Sequence, residues 1–441
     1  MYSSDMTTAV RAEASAGGRA TDSDPGIPSC LFCGRPLRHT FVDLGMSPLC
    51  ESFLKAEQLN AMEPFYPLHV RVCDDCHLVQ LQEYVSPESI FSDYAYFSSY
   101  SESWLRHART YVEMMIRRFG LDAASRVVEV ASNDGYLLQY FVERGVPVLG
   151  VEPAANVAAV AIDKGIPTEV VFFGTESARD LRSRHGAADV ILGNNVLAHT
   201  PRLNDFVEGV RVLLSSTGVA TFEFPHLLRL VAENQFDTIY HEHFSYFSFT
   251  TVCRIFAAHG LTLFDVEELP SHGGSLRIFA RHDGDESKPV SAAVTELIER
   301  EARDGVGRME FYRAFEERVK ATKRKLLRFL IDARESGKRV VGYGAPGKGN
   351  TLLNYCGIRE DLLDYTVDRN PRKHGMFLPG THIPVHDPEV IRETRPDYIL
   401  ILPWNLRREI ARQLEYVKEW GCQLVVPIPE VTIVQPGGEC R

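Results

Sequence analysis

Apolar positions along this chain fall into short strand-like runs separated by stretches of helical period, and their order predicts most of the architecture. The run Val127–Val130 reads as a buried strand ending in a turn, followed by a helix over 136–144 and a second strand, Val148–Val151, ending at Glu152. A helix, a strand near Val170, a strand over 190–192, a helix from Leu203 and a strand over 219–222 continue the alternation. Segments 261–267 and 275–281 then read as two adjacent strands joined through Ser271-His272-Gly273-Gly274. Such an order predicts a doubly wound parallel sheet with a late antiparallel hairpin. Just before it, Trp104, Ala108, Tyr111, Val112 and Met115 share one face of an amphipathic helix that docks on the sheet.

Beyond the hairpin, the charged amphipathic stretch 289–336 predicts two bridging helices. Strands over 339–343, 365–367, 398–402 and 423–426 then build a second, smaller α/β unit. The expected organisation is a disordered lead-in over 1–28, a cysteine module over 29–90, an α/β domain over 91–284, and a helical bridge with a C-terminal α/β domain over 285–441.

Charge narrows the partners. The 59 acidic against 48 basic residues give a net charge of -11, which weighs against a non-specific nucleic-acid or anionic-membrane surface. No apolar run approaches the roughly 20 residues of a membrane span, and the N-terminus lacks the basic-then-apolar plan of a signal peptide. Two close cysteine pairs and scattered single cysteines fit a reducing compartment, so a cytoplasmic location is expected.

The pairs are Cys30-Leu31-Phe32-Cys33 and Cys73-Asp74-Asp75-Cys76. Each CxxC places two sulfurs on one side of a metal, so the four together predict a tetrahedral zinc site, with redox thiols as the competing reading. A module this small has little core of its own, and the metal supplies folding energy. A complete set of four thiolates leaves no open position, so the zinc is structural rather than catalytic.

Two loops compete for a nucleotide-like ligand. Glu129-Val130-Ala131-Ser132-Asn133-Asp134-Gly135 follows the first strand with one glycine and two carboxylates. Those carboxylates repel a pyrophosphate and suit a cation, which favours S-adenosylmethionine. Ser132, Asn133 and Gly135 lie in that loop, Glu152 is placed to hold ribose hydroxyls, and Asn194 and Asn195 offer amides near the same edge. The second loop, Gly342-Tyr343-Gly344-Ala345-Pro346-Gly347-Lys348-Gly349-Asn350, carries a formal GxGxxG with Asp368 beyond the next strand. Lys348, Arg369, Arg372, Lys373 and His374 add positive charge there, which suits either NAD or a nucleotide-activated substrate.

Proton-transfer groups are densest in Thr238-Ile239-Tyr240-His241-Glu242-His243-Phe244-Ser245-Tyr246, with a second hydroxylic, aromatic cluster around Tyr94. These motifs, together with the paired CxxC module, Asn194-Asn195-Val196-Leu197-Ala198-His199 and the segment from Gly344 to Tyr355, resemble the nucleotide-sugar C-methyltransferases that act on 4-keto deoxysugars. The resemblance covers nearly everything from Cys30 onwards. It implies a class I methyltransferase domain binding S-adenosylmethionine, a Rossmann-like C-terminal domain holding a nucleotide diphosphate sugar, and a structural zinc. It further implies His243 as base, with Tyr240, Glu242, His199 and Tyr94 around the sugar, and assigns Gly344, Lys348, Asn350, Arg369, Arg372 and Lys373 to the substrate. Methylation at carbon 3 is favoured over carbon 5. Two places depart from the family pattern: Gly347 stands where alanine is expected, and Pro48-Leu49-Cys50-Glu51 where Pro-Leu-Ala-Asn is expected. The competing readings are an O- or N-methyltransferase of a nucleotide sugar, an NAD-dependent oxidoreductase built on the Gly342 loop, and a zinc-bearing nucleic-acid-binding protein.

Overall fold

The computed structural model describes residues 26–91 and 97–437. Most of the expected lead-in, and Tyr94, lie outside the described residues. The chain alternates between two compact units. One holds 1–39, 72–226 and 244–307, the other 40–71, 227–243 and 308–441.

The first unit is built on seven strands: β1 Val127–Val130, β2 Val148–Val151, β3 Thr168–Glu169, β4 Ala188–Asn194, β5 Leu214–Pro225, β6 Leu261–Leu269 and β7 Ser275–His282. Their spatial order is β6-β7-β5-β4-β1-β2-β3. Strands β1 to β5 run parallel to one another, whereas β7 runs antiparallel to both β5 and β6, as the alternation predicts. Successive residues face opposite sides: Val127, Val190 and Val219 join one core layer, and Val128, Ile191 and Ala220 the other. The helix Glu102–Phe119 buries Ala108, Tyr111, Val112 and Met115 in the first of these layers. It starts at Ser101, whose hydroxyl accepts the Trp104 N–H, and stops at Gly120 in the left-handed region. The helix expected over 136–144 is shorter, Leu138–Val142, because the loop after β1 stays irregular further than its polar residues suggest. Strand order reverses at β1, so the β1 and β4 loops open from the same edge, which is where open α/β sheets bind ligands.

The second unit carries a sheet of β8 Val340–Tyr343, β9 Thr366–Val367, β10 Val385–His386, β11 Tyr398–Ile401, β12 Gln423–Val426 and β13 Thr432–Val434. The order is β10-β9-β8-β11-β12-β13, all parallel except β13. The two edge strands were not evident in the sequence, being only two and three residues long. The stretch read as two helices holds three, Ala292–Asp304, Met309–Arg313 and Phe315–Glu335, the first ended by Gly305 at φ 94°. Within this unit Phe315 stacks on Phe41, from the strand His39–Ser47, at 4.6 Å between ring centroids.

One buried carboxylate ties the last helix of the first unit to the sheet. Glu301 is fully buried and accepts from His226 Nε2 at 2.6 Å, the Phe249 N–H at 2.7 Å, and the Thr250 N–H and hydroxyl at 2.8 and 2.6 Å. Phe249 and Thr250 open the helix Phe249–Ala258, so Glu301 satisfies two donors that have no partner within that helix. Burial alone raises its pKa, but the hydrogen bond and charge of His226, with the Thr250 donors, outweigh this and hold it below the ordinary 4.5. A depressed carboxylate contributes stability above its unfolded pKa and loses it as pH falls through the folded value. Glu301→Gln should therefore cost about 2–4 kcal/mol at pH 7 in urea unfolding, with the gap from wild type narrowing below about pH 4.5. A gap that does not change with pH would contradict this account.

Candidate active site and zinc knuckles

The two CxxC turns are near copies of each other. The Gly34 N–H bonds the Cys30 carbonyl and the His77 N–H bonds the Cys73 carbonyl, each at 3.0 Å, with Gly34 at φ 73° and His77 at φ 61°. The four sulfurs lie within 4.8 Å of one another, with Cys30–Cys76 and Cys33–Cys73 each at 3.5 Å. Zinc–sulfur bonds of about 2.3 Å in a tetrahedron put sulfurs roughly 3.8 Å apart, so the site fits zinc. Hydrogen bonds from Cys33, Cys73 and Cys76 draw the Cys30 thiol well below its ordinary range, towards the thiolate a metal takes. Gln80 holds the rim, donating to Cys30 Sγ at 3.2 Å and accepting the Leu31 N–H at 2.7 Å.

From the knuckle the chain runs into the strand Val79–Leu81, which pairs with Ser245–Tyr246. The Phe244 N–H bonds the Ala198 carbonyl at 2.8 Å and the Phe244 carbonyl accepts the Leu81 N–H at 2.9 Å. That fastens the short turn Leu197–His199 after β4, where the His199 ring lies 5.4 Å from that of Phe91.

At the end of β1 the chain takes left-handed conformation at every second residue: Ala131 at φ 58°, Asn133 at 50° and Gly135 at 75°. Only glycine does this freely; a Cβ there costs about 1–2 kcal/mol. Glu152 offsets the cost, accepting the Asn133 N–H at 2.8 Å and the Ala154 N–H at 2.9 Å through its two oxygens. The Asn133 side chain accepts the Ser98 N–H at 2.8 Å, and Ser132 is fully buried beneath the turn. Asp134 differs from its expected role: its carboxylate turns to Lys164, 3.4 Å away, and to the Ser99 hydroxyl, so its charge is already matched. Glu129 remains. It is fully buried, and burial with the charges of Glu152 and Asp134 pushes its pKa well up, against a smaller opposing effect of the Tyr136 phenol. A cationic ligand at this edge relieves that strain, so the loop fits a sulfonium cofactor. Asn194 donates to the Tyr136 phenol at 3.4 Å, and Asn195, at φ 56°, reaches His272 Nε2 at 3.2 Å.

In the second unit, residues 240–243 form a tight turn closed by the His243 N–H on the Tyr240 carbonyl at 2.9 Å. The turn puts the Tyr240 and His243 rings together, 4.1 Å between centroids, both half-buried. His243 Nδ1 lies 2.9 Å from the Thr238 carbonyl, an acceptor, so Nδ1 carries the proton and Nε2 is the basic nitrogen. His241 points the other way, its Nε2 3.2 Å from the Pro67 carbonyl; burial lowers its pKa. Glu242 is buried and accepts from the Cys50 thiol at 3.7 Å.

The second glycine loop closes on itself. Asp368 accepts the Ala345 N–H at 2.7 Å, and Lys373 donates to the Ala345 carbonyl at 2.8 Å. Gly344 sits at φ 89° under Pro403. Asn350 is buried and donates to the Cys50 carbonyl at 2.5 Å. Lys348 donates to Asn405 at 3.0 Å and stands 5.1 Å over the Trp404 ring. Arg369 and Arg372 are exposed, Arg369 facing Glu409 at 3.8 Å. Cys50 stood out in the sequence only as a departure from the family pattern. One group escaped the sequence reading. Asp237, fully buried and bonded to Trp404 Nε1 at 2.7 Å, is pushed up to about 7 by burial, against the nearby Lys348 charge, and only its place in an apolar segment hinted at it.

Comparison with known proteins decides the family. The chain is 38% identical over 411 residues to the C-methyltransferase NovU of Streptomyces niveus, spanning 92% of this chain and 97% of that protein. The chain belongs to the C-methyltransferase family. Residues 270–429 match the family described as the C-methyltransferase C-terminal domain, 104–266 a methyltransferase domain and 30–91 a zinc binding domain. Among solved structures it is similar to a SAM-dependent methyltransferase from Anabaena variabilis, 14% identical, covering 40% of this chain and 84% of that one at a TM-score of 0.33. A magnesium protoporphyrin IX methyltransferase from Synechocystis, with bound SAM, is 13% identical over 40% and 78%, TM-score 0.31.

The C-methyltransferase thus uses S-adenosylmethionine as methyl donor and carries a structural zinc. No helix among its described residues is long and apolar enough to cross a membrane. Elemental analysis should find one zinc per chain. Cys73→Ser should lose it and lower the melting temperature by several degrees, whereas a metal-free, fully stable and active protein would exclude a structural role. Glu152→Ala strips the acceptor from two loop amides, so calorimetry should show S-adenosylmethionine affinity falling about ten-fold or more. An unchanged affinity would mean the loop holds its shape without that clasp.

Proposed function

We propose that this C-methyltransferase methylates carbon 3 of a nucleotide diphosphate 4-keto deoxysugar, through an enolate, in the biosynthesis of a branched deoxysugar. The observation that carries the reading is the setting of His243: its Nδ1 lies 2.9 Å from the Thr238 carbonyl, which makes that nitrogen the donor, and its ring lies 4.1 Å from that of Tyr240. A sugar carbon is a nucleophile only after losing a proton, and a 4-keto group acidifies the carbons on either side of it. An imidazole, with an unperturbed pKa of about 6.5, is a neutral base near pH 7.

His243 Nε2 takes the carbon 3 proton, and the electron pair spreads onto the carbonyl oxygen. The Tyr240 phenol donates to that oxygen as its charge develops. The family resemblance also assigns Glu242, His199 and Tyr94 to the sugar. S-adenosylmethionine supplies an electrophilic methyl group on a sulfonium. Glu129, Ser132, Asn133, Gly135, Glu152, Asn194 and Asn195 hold it, with Glu129 as counter-charge and Glu152 shaping the turn. Gly344, Lys348, Asn350, Arg369, Arg372 and Lys373 serve the nucleotide end, where the exposed arginines offer charge to a diphosphate. The relative's name supports carbon as the acceptor atom, against an O- or N-methyltransferase. The lysine and arginines around the second loop then serve substrate rather than NAD.

The test incubates the protein with S-adenosylmethionine and a panel of 4-keto nucleotide sugars, read by mass spectrometry and carbon NMR. One added methyl bonded to carbon is expected; a methoxy signal, or no turnover across the panel, overturns the reading. His243→Asn should lower kcat by at least about 10²-fold while leaving S-adenosylmethionine binding intact. Solvent deuterium exchange at the sugar's acidic carbon should fall with it, provided the wild type shows such exchange. His241→Asn, changing a ring that faces the Pro67 carbonyl, serves as the comparison. Near-normal turnover in His243→Asn would move the base to Glu242, Tyr240 or His199.

A further inference from the structure

The two departures from the family pattern, about three hundred residues apart, meet in the second unit. A Cβ built on Gly347 falls 2.8 Å from Cys50 Sγ and 3.3 Å from Glu51 Oε1. The same sulfur is the one that donates to Glu242 at 3.7 Å. Both partners are buried, and Asn350, on the helix Gly347–Cys356, fixes the segment by bonding the Cys50 carbonyl. The space beside Gly347 is therefore the space Sγ needs in order to stand against the carboxylate.

We propose that Cys50 is a positioning residue for Glu242, and that Gly347 is the vacancy that lets its thiol reach the carboxylate. Burial, with the charges of Glu242 and Glu51, pushes the thiol well above its ordinary range, so it keeps its proton and acts as a donor rather than a nucleophile. A methyl at 347 forces Sγ to another rotamer, because 2.8 Å is shorter than any relaxed carbon–sulfur contact. In that rotamer the donor to Glu242 is lost. Glu51 extends the same corner: its carboxylate lies 3.6 Å from Lys373 Nζ, so the 50–51 segment faces both Glu242 and the basic residues assigned to the nucleotide. The proposal rests on the reading of Glu242 as part of the sugar site.

A double-mutant cycle tests it. Gly347→Ala in the wild-type background should lower kcat about ten-fold, with the KM for S-adenosylmethionine unchanged. In a Cys50→Ala background the same change should cost less than about two-fold, because the sulfur it displaces is gone. Cys50→Ala should move the acidic limb of the kcat profile to higher pH, since a carboxylate that loses a donor protonates more readily. Cys50→Ser, which keeps a donor at that position, should restore the limb at least in part. Equal costs of Gly347→Ala in both backgrounds, or an acidic limb that Cys50→Ala leaves in place, would overturn the proposal. A wild type that methylates no 4-keto sugar would instead indict the reading of function. In that event the cycle is read as melting temperature, where additive penalties refute the coupling.

Discussion

The closure of four sulfurs around one metal is the constraint on which the first unit's edge depends. The knuckle segments pack Leu37 and Leu78 into the core of the unit, with Leu31 and Phe32 against it, and are held further through their backbone. Thr251 Oγ1 donates to the Cys76 carbonyl, Arg254 to the Asp75 carbonyl, and Asn204 to the carbonyls of Leu31 and Phe32. Those acceptors are left for neighbours because each CxxC turn closes on itself through the Gly34–Cys30 and His77–Cys73 hydrogen bonds. Loss of the ion leaves buried thiols crowded at 3.5 Å, where they cannot ionise together, and the turn geometry relaxes. The effect passes along the strand Val79–Leu81 to Ser245–Tyr246 and the His199 turn. A zinc with no open coordination position thereby acts on its surroundings through backbone register rather than through chemistry.

The order of elements was legible because a doubly wound sheet buries its strands on both faces, and continuous apolar runs such as Val127–Val130 advertise that. The loop after β1 was only half legible. Counting glycines distinguishes it from a dinucleotide loop, yet its backbone turns left-handed at Ala131 and Asn133 as well as Gly135. Composition cannot report this, since the clasp that makes it tolerable comes from Glu152, just past the end of the next strand. The charge argument fared similarly. Asp134 and Glu129 look equivalent in the sequence, but Lys164 neutralises one, and burial leaves only the other wanting a cation.

Density of titratable residues proved a coarser guide than direction. Within nine residues, Tyr240 and His243 share a side because a turn sets them three apart, His241 faces a carbonyl, and Phe244 to Tyr246 are spent on strand pairing. The unit boundary itself falls between His243 and Phe244. A motif that reads as one cluster is thus a turn that pairs a phenol with an imidazole, followed by a structural strand. Nothing in one-dimensional spacing separates the two, because the tautomer-setting acceptor is a backbone carbonyl, Thr238, that any residue type supplies.

Volume explains why positions 50 and 347 differ from the family pattern together. Alanine at both places puts two methyl groups in the corner; cysteine with glycine puts there a methylene, a sulfur and no Cβ, a similar total differently shared. With a methyl at 347 the sulfur has to turn away from its present position, whereas glycine there leaves the space the sulfur occupies. What it finds there is Glu242, so a packing change at a helix start ends as a hydrogen-bond donor to a carboxylate at the centre of the proposed chemistry.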